Sequence, residues 1–388
     1  MIKRKIEKQL KQLIRHFPAI CVLGPRQTGK TTLIKKLAQS VKKPVVYLDL
    51  ERNTDRNKLH DAESYLAQHA DKCVIIDEVQ FMPDLFQIMR PLIDDKRVPG
   101  RFLLTGSASP ELIKGASESL AGRIAYTELT PFSLLETGAR PSLEKHWFRG
   151  GFPLAYLSKR AHVSEQWLDY FIKSYLERDL NLIYNINFTR VTMQKLWTML
   201  AHYHGSILHT EVFARSLGIT GPTVSRYFDF LEGAFIIHRL PAYSINSKKR
   251  LVKTPKIFLR DAGVLHRLCN FTDMEDVRAH TLAGNSWEGY VIEQINNCKP
   301  ANMRMYYYRT HDGAEIDAVL EKGGKVKACI EIKLSNAPAL SKGFHLSAKE
   351  LKCKNNFVIT PASENYVNGE GIRICSLFDF LKKHLPEI

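Results

Sequence analysis

The sequence predicts an α/β protein in three parts, built on a parallel αβα core, and three observations carry that reading. The apolar run Ala19-Ile20-Cys21-Val22-Leu23 leads into the glycine-containing stretch Gly24–Thr32, and a helical pattern with Leu33, Ile34, Leu37 and Ala38 on one side follows. A second apolar run, Cys73 to Ile76, ends in Asp77-Glu78. Far downstream, two strand-like runs flank Gly323-Gly324 and carry Asp317, Glu331 and Lys333.

The chain has 388 residues, which implies more than one core. Hydrophobic content of 44% and charged content of 25% are those of a globular protein with ordinary cores. The net charge is +16, with +8 in residues 1–150, +2 in 151–245 and +6 in 246–388. A basic excess at both ends favours a polyanionic partner, nucleic acid first, although a solvated basic surface would produce the same count. Seven scattered cysteines form no C-x-x-C pair, so reduced thiols and a cytoplasmic location are expected. The start, MIKRKIEKQLKQLI, reads as a basic amphipathic helix rather than a signal peptide. No apolar stretch is long enough to span a bilayer, and no membrane partner is expected.

The first part, residues 1–150, opens with that helix and the glycine stretch. Its spacing fits G-x-x-x-x-G-K-[ST], with Gly24, Gly29, Lys30 and Thr31 in place. Such a loop turns its amides toward phosphate oxygens at a helix N-terminus. Gly24, Pro25, Arg26, Gln27, Thr28, Gly29, Lys30, Thr31 and Thr32 are the candidate nucleotide-binding residues. Lys30 is expected to reach the terminal phosphates and Thr31 to bind Mg²⁺. Asp77, at the end of its strand, is expected to hold the same ion, and Glu78 to activate water. The second carboxylate argues for hydrolysis over phosphoryl transfer to another substrate. Phe102 to Ser107 reads as another buried strand, whose Thr105 or Ser107 is placed to sense the γ-phosphate between the two motifs. Arg123, before the strand Ile124-Ala125-Tyr126, is either a phosphate-contacting arginine, in cis or from a neighbouring subunit, or a structural ion-pair arginine.

GPRQTGKTTL, YLDLE, IIDEVQ, LLTGSAS and LAGR, in this order, resemble a prokaryotic family of AAA-class P-loop ATPases with a C-terminal domain of unknown function. RGGFPLAY (149–156), YLERDL (175–180), TPKIFLRDAG (254–263) and WEGYVIEQI (287–295) are similar to the same family. The resemblance implies a parallel αβα core, ATP as the nucleotide, and hydrolysis through Asp77 and Glu78. An oligomer is compatible with it.

Residues 151–245 form a helical connector after the break at Gly150-Gly151-Phe152-Pro153. Residues 210–217, a turn at Gly218-Ile219-Thr220, and residues 221–231 read as helix-turn-helix, with Phe235 to Leu240 as the strand of a wing. The stripe Val224, Tyr227, Phe228 and Leu231 is its buried side. Its exposed face offers one cation, Arg226, so DNA contact and interface packing both stay open.

Residues 246–388 open with a basic linker, 247–250 with Lys253 and Lys256. The helix beginning at Trp287-Glu288 and the strand Met305 to Arg309 follow. A hairpin then turns at residues 321–324. Alternation along its second arm puts Glu331 and Lys333 on one face, where Asp317 and Glu288 can join them. Glu288, Asp317 and Glu331 are candidate ligands for Mg²⁺ or Mn²⁺, and Lys333 is a candidate catalytic lysine of phosphodiester hydrolysis. The D-x(13)-E-x-K arrangement resembles the PD-(D/E)XK nuclease superfamily, which implies a restriction-endonuclease-like α/β domain. Ile316 stands where that motif carries proline. Two functions follow as expectations. One is Mg-dependent ATP hydrolysis coupled to DNA binding or cleavage. The other is a nucleotide-switched interaction protein whose nuclease-like domain is not catalytic.

Overall fold

A computed structural model describes residues 2–110, 120–139, 141–175, 189–244, 251–335 and 341–388. The YLERDL motif beyond Tyr175 and the basic run at 247–250 lie outside the described residues. By internal contacts the chain forms two units. Residues 1–132, 174–188 and 229–236 make the first, and 133–173, 189–228 and 237–388 the second.

The first unit holds a five-stranded parallel sheet in the order β2-β3-β4-β1-β5. Its strands are β1 (Ala19–Leu23), β2 (Val45–Asp49), β3 (Cys73–Asp77), β4 (Phe102–Gly106) and β5 (Ile124–Glu128). β1, β3 and β4 are buried along their whole length, as apolar runs covered on both faces of a parallel sheet should be. One face packs on helix α1 (Glu7–His16) and helix α2 (Lys30–Ala38) through Leu10, Leu33, Ile34 and Leu37. The other face packs on Leu66, Phe86, Met89 and Ile93. β4 lies between β1 and β3, so the loops after all three strands open at the same carboxyl edge.

The second unit is built on a six-stranded mixed sheet, β13-β14-β12-β11-β10-β9. β9 (Arg304–Arg309), β10 (Glu315–Lys322) and β11 (Lys325–Ile332) form an antiparallel meander. β12 (Asn356–Thr360) and β14 (Arg373–Ser376) continue it in parallel, and β13 (Tyr366–Val367) closes the edge. The expected hairpin is present, but the strand runs through Lys322. The turn is only Gly323 and Gly324, both at positive φ, which two-residue hairpins require. β6 (Ser206–Ile207), β8 (Lys256–Leu259) and β7 (Ile237–Leu240) form a small antiparallel sheet, and helices Thr210–Leu217 and Gly221–Gly233 lie between β6 and β7 in the chain. The helix-turn-helix is as read: Gly218 is left-handed, Thr220 caps Thr223, and Val224, Tyr227, Phe228 and Leu231 are buried.

Two motifs interlock in this unit. The Asp261 carboxylate accepts from the amides of Gly151 (2.8 Å) and Val264 (3.0 Å), joining RGGF to LRDAG. A Cβ on Gly150 would lie 2.0 Å from Asp261 Oδ1, and one on Gly263 2.3 Å from the Arg149 carbonyl oxygen. These glycines are there for close approach. In WEGY, Gly289 makes room for His204, whose Nε2 would lie 2.0 Å from an added Cβ. His204 is a packed, neutral imidazole, held at about 3 by burial, with Nδ1 accepting from the Leu259 amide.

Candidate nucleotide site

The loop between β1 and α2 is shaped by glycines. Gly24 has φ 144°, and a Cβ there would lie 2.2 Å from the Leu129 carbonyl oxygen. Gly29 caps α2 at φ 90°, a conformation that a side chain resists. The Thr28 hydroxyl donates back to the Pro25 carbonyl at 2.9 Å. Lys30 is buried, and its ammonium donates to the carbonyls of Gly24 and Pro25 at 3.0 Å and to Ser107 Oγ at 2.9 Å. Burial pushes its pKa down, against the pull of Glu78 and Asp77.

Asp77 sits at the end of β3 and is hydrogen-bonded on both oxygens. Thr31 Oγ1 donates to it at 2.8 Å, Tyr47 at 2.6 Å, and Thr105 donates to the other oxygen. Glu78 follows at φ 57°, a left-handed position unusual for glutamate, and its amide donates to Thr105 Oγ1 at 3.0 Å. Its carboxylate accepts from Ser107 Oγ at 2.9 Å and from Gln80 Nε2 at 2.6 Å. The Gln80 carbonyl in turn accepts from the Ser107 amide at 3.2 Å. Ser107 therefore bridges the ammonium of Lys30 and the carboxylate of Glu78, which are 3.9 Å apart.

The glycine loop, Lys30, Thr31, Asp77, Glu78 and Ser107 come together here, while Gln27 and Thr32 are exposed. Arg26 turns to Glu51 at 3.0 Å on the rim. Arg123 makes a two-pronged pair with Asp94, at 2.7 and 2.8 Å, and donates to the Ala121 carbonyl. This ion pair is the contact that the structural reading of Arg123 expects. Sequence reasoning missed Tyr47 and Gln80. Tyr47 lies two residues before Asp49 on the neighbouring strand, and Gln80 two after Glu78, so proximity to the motif was the available signal.

The second cluster lies wholly in the second unit. Glu288, on helix Ala283–Cys298, is 2.8 Å from the ammonium of Lys256, which is also 2.6 Å from Glu315. Lys256 is not an exposed linker cation. It belongs to β8 and is 4% exposed. Burial alone would depress it, but Glu288, Asp317 and Glu315 hold it well above the ordinary lysine value. Asp317 accepts from the Ile332 amide at 2.7 Å, and Glu331 pairs with Lys333 at 2.6 Å on the shared face expected from alternation. Burial raises Glu288 and Glu331 to about 7 and raises Asp317 as well. Among the described residues, no group of three or more His, Cys, Asp or Glu side chains is arranged to hold a metal ion. Of the carboxylates expected as ligands, Glu288 and Glu331 pair with lysines and Asp317 accepts from a backbone amide.

The parallel sheet, the glycine loop and the Asp77-Glu78 pair define a P-loop ATPase fold, and residues 16–138 match the model of an AAA domain. Residues 140–275 and 283–380 match two domains of unknown function, DUF8612 and DUF4143. The chain belongs to the family of an uncharacterized protein of Mycobacterium tuberculosis. The two are 35% identical over 364 residues, covering 94% of this chain and 81% of the relative, and a Mycobacterium bovis protein matches to the same extent. An uncharacterized Haemophilus influenzae protein is 22% identical over 298 residues, 68% of this chain and 72% of its own. Among solved structures, a Walker-type ATPase of Pyrococcus abyssi is similar at 15% identity and a TM-score of 0.47, covering 69% of this chain and 96% of that one. No helix among the described residues is long and apolar enough to cross a membrane.

Proposed function

We propose that the chain hydrolyses ATP, with Mg²⁺, at the site between β1, β3 and β4. The observation that carries this is the Lys30–Ser107–Glu78 chain beside the Thr31–Asp77 pair. Lys30 is poised to leave the loop carbonyls for the terminal phosphates, and Glu78 to accept a proton from attacking water. Thr31 Oγ1 and Asp77 are an all-oxygen pair suited to Mg²⁺, which when bound neutralises phosphate charge. Phosphate release from purified protein with Mg-ATP tests the reading. Lys30→Ala should abolish turnover, and Glu78→Gln should bind ATP without hydrolysing it. Turnover by Lys30→Ala at the wild-type rate would end it.

For the C-terminal part, Lys256 favours the non-catalytic alternative. An ammonium amid Glu288 and Glu315 supplies the compensation that a divalent ion would bring to a nuclease. We therefore read residues 246–388 as a recognition or scaffolding domain, with 151–245 as its connector. The ATPase part, residues 1–150, would switch it by nucleotide state. DNA remains the polyanion to try first, given the basic ends. DNA-stimulated phosphate release would support DNA coupling, and strand cleavage abolished by Glu331→Ala would overturn the non-catalytic reading. Seven free thiols, five of them buried, suit a reducing cytoplasm.

A further inference from the structure

The N-terminal segment grips the phosphate loop from behind. Arg4, just before α1, is 7% exposed. Its Nη1 donates to the Thr28 carbonyl at 3.0 Å, and its Nη2 to the carbonyls of Thr130 at 2.6 Å and Pro131 at 3.4 Å. The guanidinium lies 4.8 Å from the centre of the Phe132 ring. Three residues on, Glu7 accepts from the Arg4 amide at 3.1 Å and, through both oxygens, from Lys36 of α2 at 2.9 Å. One short segment thus holds both the loop and the helix into which the loop runs.

The grip has a direction. A peptide is planar and trans, so the Thr28 carbonyl and the Gly29 amide point opposite ways. Pinning the carbonyl to Arg4 fixes the Gly29 N–H facing away from Arg4. Gly29 sits at φ 90° and has no side chain of its own to hold that peptide, so the Arg4 contact adds to the Thr28 hydroxyl bond in fixing it. The guanidinium also polarises the amide, which makes the N–H a stronger donor.

We propose that Arg4 is a positioning residue for the triphosphate: by holding the Thr28 carbonyl it aims the Gly29 amide at the phosphates and sets nucleotide affinity without touching the nucleotide. The inference rests on the ATP-hydrolysis reading. Glutamine at Lys8, which is exposed on α1, should have no such effect.

The test uses the full-length protein as wild type, Arg4→Gln, Arg4→Lys and the exposed control Lys8→Gln. Binding of Mg-ATP is measured by calorimetry, and KM and kcat by phosphate release. Arg4→Gln should raise Kd and KM about tenfold, the loss of a charge-assisted hydrogen bond, with kcat within about twofold of wild type. Arg4→Lys, which keeps the charge but not the two-pronged reach, should fall between, and Lys8→Gln should match wild type. If thermal melting shows Arg4→Gln unfolded, Arg4→Lys decides by the same split. Unchanged KM, or a fall in kcat alone at saturating ATP, would overturn the proposal. A wild-type protein that neither binds nor hydrolyses Mg-ATP would overturn the hydrolysis reading first.

Discussion

The Ser107 hydroxyl lies 2.9 Å from Glu78 Oε2 and 2.9 Å from the ammonium of Lys30, so one side chain just after β4 touches two oppositely charged groups of the nucleotide site. The hydroxyl can donate to the carboxylate while accepting from the ammonium, which holds the two at a fixed spacing. Ser107→Ala removes that spacer and leaves Gln80 alone on Glu78. Hydrogen bonds to charged groups contribute about 1.5–3 kcal/mol, so kcat for ATP should fall about tenfold or more. KM should change far less. Steady-state phosphate release checks this, and a wild-type kcat would show that Glu78 needs no help from β4.

Gly263 faces the Arg149 carbonyl oxygen, 2.3 Å from where a Cβ would stand. The obstacle is backbone, which cannot rotate aside as a flexible side chain can. Gly263→Ala should therefore separate the RGGF and LRDAG segments and cost about 1–3 kcal/mol, the range for overpacking a close-packed interior. A lowered melting temperature with intact ATP binding is expected. An unchanged melt would mean that the two segments part easily.

Local motifs were legible in the sequence, and long-range pairings were not. Lys30, Thr31, Asp77 and Glu78 sit in short patterns whose spacing encodes strand, turn and helix, and the structure brings them together. The hairpin alternation likewise put Glu331 beside Lys333. In sequence, Lys256 belongs to a basic linker with Lys253 and the run at 247–250. Its burial depends on Glu288, 32 residues on, and Glu315, 59 residues on, and no local period reports that. Arg4 was hidden for the same reason: its partners are carbonyls of residues 28, 130 and 131, which carry no side-chain signature.

Asp261 provides a pH test. Burial raises its carboxyl to about 6 from an ordinary 3.8, and the amides of Gly151, Val264 and Gly263 offset only part of that. The folded state therefore binds the proton more tightly than the unfolded chain. Stability from this group is full below the ordinary value and is lost as pH rises through about 6. Asp261→Asn cannot ionise, so its urea midpoint should lose the part of the wild-type decline between about pH 4 and 6 that this carboxyl causes. Parallel pH profiles for the two proteins would remove Asp261 as the cause.

Lys256 carries the sharpest stability prediction. The ammonium is buried against Glu288 and Glu315, and taking it away leaves the half-buried Glu288 without its ion-pair partner while Glu315 keeps Arg309. Breaking one side of a buried pair costs about 3–5 kcal/mol, whereas replacing both sides with uncharged groups is often nearly neutral. Lys256→Met should therefore lower the melting temperature by on the order of 10 °C. Lys256→Met with Glu288→Gln should recover a large part of the loss, a coupling that a double-mutant cycle measures. The Lys256→Met defect should also shrink as pH falls from 8 to 5, because protonation removes the uncompensated charge. If the single variant melts within a degree or two of wild type at pH 8, Lys256 does not compensate these acids, and a metal-dependent nuclease site is again open to residues 246–388.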